Sequence, residues 1–111
     1  MNLTTEEFKN CTLVRVEGRI DSQTAPRLET VLKSIMDKGQ YKIVLDMSAV
    51  EFTSSAGLRV LVSAQKKCKQ LNRGEIVLAA VPERIQEALD LAGLIPIFRI
   101  TEDVVHAVGN I

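Results

Sequence analysis

The chain has no tryptophan, a single tyrosine, a single histidine and no excess of charge of either sign. Each scarcity removes a class of function. Lys plus Arg and Asp plus Glu number 14 each, so the basic surplus that grips nucleic-acid phosphates is missing and no nucleic-acid partner is expected. The two cysteines, Cys11 and Cys68, stand far apart in no paired spacing; they are too few for a disulfide scaffold and do not make a zinc pattern. Buried free thiols are the expectation for both. With one histidine beside them, neither a metal-ligand set nor a cofactor is expected. There is no glycine-rich phosphate loop, which argues against nucleotide binding by the chain itself. No apolar run nears the ~20 residues that cross a bilayer. The first residues, Met1 to Glu7, lack the basic start and apolar stretch of a secretion signal. A cytoplasmic protein with no membrane partner is expected.

What the chain does have is aliphatic bulk. Its hydrophobic fraction is 46% with only 4% aromatic, so the core must come from Val, Ile, Leu and Ala, as in sheets covered by helices. No repeat, linker or low-complexity tract interrupts its 111 residues, and residues 1–111 read as one domain.

The pattern of apolar positions changes period along the chain. Val14, Arg15, Val16 and Glu17 alternate with period two, a strand with one covered face, and Leu3 and Phe8 before them predict a partner strand turned at Lys9-Asn10. Leu28, Val31, Leu32, Ile35 and Met36 fall on one helical stripe, with Pro26 in the first turn and Gly39 at the exit. Tyr41 to Asp46 reads as a short strand ending in a carboxylate. Gly57, Val60, Leu61, Ala64, Cys68 and Leu71 form a second stripe, closed by Gly74. Ile76 to Val81 is apolar throughout, as in a strand covered on both faces. Pro82 opens a third helix through Ile85, Ala88, Leu89 and Ala92, stopped by Gly93. Ile97 to Ile100 is a last strand. Thr101 is placed to cap a final helix through Val104, Val105 and Val108, with Glu102 and Asp103 in its first turn. This is the α/β class: a mixed sheet of four to five strands, an N-terminal hairpin and about four α-helices. Whether the helices cover one face or both is open at this level.

The chemistry concentrates between Asp46 and Leu61. Thr53, Ser54 and Ser55 stand immediately before a helix, whose first-turn N–H groups lack partners. Two readings of these hydroxyls stay open. One is a plain N-cap, for which Ser and Thr rank high. The other is a phosphate acceptor, because a helix N-terminus carries roughly half a positive charge and tolerates a phosphoserine of about −1.5 to −2 charges. The domain would then keep its fold while its local surface potential changed sign. Asp46 is expected to satisfy backbone N–H groups in its turn.

The stretch Ile43-Val44-Leu45-Asp46-Met47-Ser48, followed by Val50, Phe52 and Ser54-Ser55-Ala56-Gly57-Leu58, resembles the signature of the STAS family, in particular the bacterial anti-sigma-factor antagonists. Val14 to Asp21 is similar to that family's second strand and its Gly-x-x-Asp turn, and Leu91-Ala92-Gly93-Leu94 with Ile97-Phe98 is similar to its closing segment. The resemblance runs over nearly the whole chain. It implies a STAS fold and a binding module, not an enzyme. An anti-sigma factor with serine kinase activity would be bound by the unphosphorylated form and would release a sigma factor. Phosphorylation would abolish binding, and a serine phosphatase would reset the system. By the same resemblance the phosphorylated residue is Ser55, with Ser54 the second candidate. The partner surface is Asp21, Ser22, Thr53, Ser54, Ser55, Gly57 and Arg59. The chain departs from the commonest family pattern in having Ser54 where Asp precedes the acceptor, and Ala56 where a serine often follows. Arg59, one turn beyond Ser55, is placed either to reach back to a phosphate or to stand as a solvated surface cation.

Two other functions compete. A STAS domain that is never phosphorylated, serving as an adaptor in a transport or signalling assembly, needs the same fold and surface. A serine hydrolase would need His106 beside Ser54 or Ser55, and the chain has no Gly-x-Ser-x-Gly elbow to present the nucleophile.

Overall fold

The computed structural model describes residues 1–70 and 73–111. Strands β1 (Asn2–Glu7) and β2 (Thr12–Ile20) form the expected hairpin, with Leu3 opposite Val16 and the Phe8 amide closing the turn on the Cys11 carbonyl at 2.8 Å. Helices and strands then alternate: α1 (Ala25–Asp37), β3 (Lys42–Thr53), α2 (Ser55–Gln70), β4 (Glu75–Ala79) and α3 (Glu83–Leu91). A single 3-10 turn (Ile95–Ile97), β5 (Arg99–Thr101) and α4 (Val104–Asn110) complete the chain. The five strands lie in the order β1-β2-β3-β4-β5, antiparallel in the hairpin and parallel from β2 to β5. The expected mixed α/β sheet is therefore present.

Helices α1, α2 and α3 pack on one face. There Val14, Val16, Ile43, Leu45, Ile76 and Leu78 of the sheet meet Leu28, Leu32, Leu61, Ile85 and Leu89 of the helices, all buried. A fully buried Leu or Ile contributes about 1.5–3 kcal/mol over an exposed one, so this cluster dominates the stability. On the other face α4 sets Ala107 against Leu13, Val44 and Val77. β4 feeds both clusters, which is why its sequence is apolar without alternation. Both helical stripes are where the spacing puts them: Leu28, Leu32, Ile35 and Met36 are buried in α1, and Gly57, Val60, Leu61, Ala64 and Cys68 in α2. Leu71, assigned to the second stripe, lies outside the described residues. Cys11 and Cys68 are free and buried, and burial pushes the Cys68 thiol up to about 11.

Four local expectations are corrected. β3 does not end at Asp46 but runs to Thr53. Its pairing with β2 skips from Arg15–Asp46 to Glu17–Ala49 and from Gly18–Val50 to Arg19–Phe52, so one extra residue bulges at each step and breaks the period of two. β4 stops pairing at Ala79, opposite Asp46, and the rest of β3 has β2 as its neighbour. The last strand is Arg99–Thr101, because Pro96 sits in a 3-10 turn that occupies Ile97. Asp103, not Thr101, caps α4, its carboxylate accepting from the His106 amide at 2.8 Å; the Thr101 hydroxyl donates to the Asp103 carbonyl instead. Ala92 and Val105, placed on buried stripes, are exposed, and Ala107 takes the buried position in α4.

Gln65 is buried in α2, where the periodicity gave it no role. Its amide nitrogen donates to the carbonyls of Ile76 (3.2 Å) and Ile97 (3.0 Å), and its Oε1 accepts from the Ile76 amide. β5 pairs with β4 only from Val77 onward, so the Ile76 groups facing that edge lack a strand partner. The Gln65 side chain stands in for the missing peptide, satisfying groups that would otherwise be buried unpaired.

Candidate functional site at the start of helix α2

The bulged end of β3 delivers the three hydroxyls into three different environments. Thr53 is buried, Ser54 half-buried and Ser55 exposed. The Ser54 amide donates to the Ile20 carbonyl at 2.8 Å, tying this junction to the end of β2. The Ser54 hydroxyl accepts from the Gly57 amide at 3.4 Å, and its carbonyl accepts from the Leu58 amide at 3.1 Å; Ser54 is the N-cap. The Thr53 hydroxyl donates to the Ser54 carbonyl at 3.3 Å. Ser55 is the first helical residue, and among the described residues its hydroxyl makes no hydrogen bond. The cap reading thus falls on Ser54, and Ser55 beside it keeps an exposed, unengaged hydroxyl.

Gly57 explains how closely α2 can start. A Cβ there would lie 2.5 Å from the Thr53 hydroxyl oxygen and 2.7 Å from the Ile20 Cγ2 methyl. A side chain would push the first turn away from β2, and Gly57 itself is buried. It therefore supports the site from beneath rather than offering a side chain to a partner.

The β2–α1 loop lies alongside. The Asp21 carboxylate accepts from the amides of Thr24 (3.0 Å) and Gln23 (2.9 Å), bonds that hold it below its usual range. The Thr24 hydroxyl, which accepts from the Asp21 amide, donates to the Arg19 carbonyl at 2.9 Å, so the loop is braced within itself. Ser22 is exposed and shares a shallow groove with Ala56 and Arg59. The structure thus brings Ser22 to the first turns of α2 beside Ala56 and Arg59, with Asp21 shaping the loop that carries it. Arg59 is exposed and makes no ion pair among the described residues.

Asp46 stands apart. It accepts from the Ser48 amide at 3.0 Å, as expected, but it also lies 3.6 Å from the Arg15 guanidinium in mid-strand, away from the α2 junction. His106 is on α4, across the sheet from α2, where it contacts Asp103 at 2.7 Å. The sheet separates it from both serines, so this arrangement offers no hydrolytic pair. Among the described residues, no group of three or more His, Cys, Asp or Glu is placed to hold a metal ion, and no helix is long and apolar enough to cross a membrane. Sequence reasoning missed the Arg19 guanidinium stacked 4.4 Å over the Phe52 ring, a contact made by the bulge that sets Arg19 opposite Phe52.

The family model for the STAS domain matches residues 2–107. This chain belongs to the STAS family. BtrV of Bordetella bronchiseptica, assigned as an anti-sigma factor antagonist, is 33% identical to this STAS protein over 98 residues, covering 88% of this chain and 84% of BtrV. An anti-sigma-B factor antagonist of Staphylococcus epidermidis is 30% identical over 89 residues, covering 80% and 82% of the two chains. A Thermotoga maritima crystal structure, of a protein also assigned as an anti-sigma factor antagonist, has a TM-score of 0.89 over 96% of this chain and 92% of its own. At 22% identity that likeness concerns the fold. Antagonists of anti-sigma factors are a regulatory class rather than an enzymatic one.

Proposed function

We propose that this STAS domain is a cytoplasmic anti-sigma-factor antagonist whose binding is switched off by phosphorylation of Ser55. The unmodified chain binds an anti-sigma factor that is also a serine kinase and so frees a sigma factor. The kinase transfers the γ-phosphoryl group of ATP to the Ser55 oxygen, the hydroxyl proton leaves, and ADP departs. A serine phosphatase returns the chain to its binding form.

The observation that carries this reading is the division of labour between Ser54 and Ser55. Ser54 is half-buried and engaged as the cap, whereas Ser55 is exposed with a free hydroxyl on the first turn. That turn holds no acidic side chain, so a phosphate would meet unopposed helix-dipole charge and leave the fold intact. The partner, by contrast, would meet about two new negative charges in the middle of its contact surface. The docking surface comprises Ser22, Ser55 and Arg59, underpinned by Asp21, Thr53, Ser54 and Gly57.

The test begins with a pull-down by the unmodified chain, to capture the anti-sigma factor, followed by incubation with ATP and mass spectrometry of the serine-containing peptide. Phosphate is expected on Ser55. Ser55→Ala should bind and resist release by ATP; Ser55→Asp should fold normally and bind at least roughly tenfold more weakly. Phosphate on Ser54 alone would move the switch by one residue. No incorporation at either serine, with binding intact, would leave an adaptor that is not phosphorylated.

A further inference from the structure

Helix α2 has a second stripe beside its buried one. Ser55, Leu58, Arg59, Val62 and Lys66 follow one another at helical spacing along three turns, and with Leu94 from beyond α3 they line an open groove of about 530 Å³. Leu58, Val62 and Leu94 are packed against the core yet remain partly exposed. The charged groups in this groove are Arg59 and Lys66, both exposed, with no carboxylate among its lining residues. Neither cation makes an ion pair among the described residues. The seam on the other side of α2 is different: there Glu29 accompanies Arg59 in one section and Lys33 and Lys67 in the next.

An apolar floor flanked by unpaired cations specifies its occupant by complementarity. Apolar side chains laid on Leu58, Val62 and Leu94 would lose water contact on both sides, and carboxylates are the groups that would compensate the cations as water leaves. Arg59 and Lys66 are seven residues apart, roughly 10 Å along the axis at 1.5 Å per residue. We propose that this groove docks an apolar segment of the anti-sigma factor carrying two carboxylates roughly 10 Å apart, one read by Arg59 and one by Lys66. The inference rests on the antagonist reading above. It adds the chemistry of the partner's contact and a reason for the switch to sit at Ser55. A phosphate there stands one turn from Arg59 at the head of the groove, where it opposes an incoming carboxylate and competes for the same guanidinium.

The test uses the anti-sigma factor captured by the unmodified chain, titrated calorimetrically into the whole protein and its variants. Reversing both cations, Arg59→Glu with Lys66→Glu, should weaken binding at least roughly tenfold; the charge-conserving pair Arg59→Lys with Lys66→Arg should stay within about threefold. Raising salt from about 50 to 300 mM should weaken the wild type and not the reversed variant. Lys67→Glu, an equal charge reversal on the section of the other seam that holds neither Arg59 nor Ser22, should change affinity less than about twofold. Circular dichroism checks that each variant is folded, as expected for exposed positions. If the reversed variant is folded and binds like the wild type, the groove is not the acidic segment's seat. A pull-down that captures no anti-sigma factor would instead sink the antagonist reading, and this proposal with it.

Discussion

Two helices of this protein begin in opposite ways. At the start of α4, on the sparsely covered face of the sheet, the Asp103 carboxylate accepts from the His106 amide at 2.8 Å and contacts the His106 ring as well. Its dipole already faces a full negative charge. At the start of α2, on the helix-covered face, the cap is a neutral hydroxyl with a long 3.4 Å bond, and the first turn has no acidic residue. The last turn of α2 does carry cations, Lys67 and Lys69, so only one end of its dipole is compensated. A helix start that is already charged leaves no vacancy for a phosphate. One capped by serine, with a second serine free beside it, would be stabilised by one, which is the physical basis of the switch proposed above.

The sharpest way to break that contrast is to disturb how each helix sits. Gly57→Val would place a branched Cβ within 2.5 Å of the Thr53 oxygen and 2.7 Å of an Ile20 methyl. We expect it to cost about 1–3 kcal/mol as the first turn of α2 is pushed off β2, outweighing the gain of up to ~1 kcal/mol from removing a helical glycine. Gly109 in α4 has nothing within 4 Å of its Cβ position. Gly109→Ala should therefore stabilise by about 0.5 kcal/mol. Urea denaturation followed by circular dichroism measures both. Equal effects at the two glycines would mean that α2 is not seated as closely as described.

A smaller effect separates the two serines. Ser54→Ala removes the cap and should cost about 0.5–1 kcal/mol, toward the low end because the bond is long. Ser55→Ala removes a hydroxyl with no partner and should leave stability unchanged to within about 0.5 kcal/mol. The same denaturation experiment reads the difference. A costly Ser55→Ala beside a neutral Ser54→Ala would exchange the roles of cap and free hydroxyl.

Only the family resemblance singled out Ser55; which hydroxyl caps α2 was not legible in the spacing of the residues, and the reason is geometric. Thr53, Ser54 and Ser55 are chemically near-equivalent, and the choice among them depends on where β3 ends. Tyr41 to Leu45 announces a strand, but the two bulges after Asp46 destroy the alternation that would have carried it to Thr53. The stripes of α1 and α2, and the unbroken run of β4, were legible because each reports burial at a regular spacing. Gln65 was illegible for the converse reason. It lies on the buried side of α2 as a polar residue, and its three bonds to Ile76 and Ile97 exist only through a tertiary contact between helix and sheet. In sequence alone Arg59 stands open between reaching a phosphate and being a surface cation, and nothing marks Lys66; both are exposed, and their shared groove appears only once Leu94 is folded against α2.

The subtlest difference between the two helix starts is their response to pH. The hydrogen bond and charge of Asp103 raise the His106 imidazole above its ordinary 6.5, and the His106 amide and ring hold the Asp103 carboxyl below its ordinary 3.8. Because the folded imidazole value is raised, its contribution to stability is complete below 6.5 and is lost as pH rises through the raised value. Because the folded carboxyl value is lowered, that contribution is complete above 3.8 and is lost as pH falls through the lowered value. The start of α4 is therefore held most firmly between the two ordinary values. The Ser54 cap of α2 has no titrating group and should be flat over the same range. Proton NMR titration should place the His106 midpoint above 6.5 in the wild type and return it toward 6.5 in Asp103→Asn. Amides in the first turn of α4 should lose protection above that midpoint, with those of α2 unaffected once intrinsic exchange rates are divided out. An identical midpoint in Asp103→Asn would mean that the charged cap of α4 does not form in solution, and the two helix starts would then differ only in exposure.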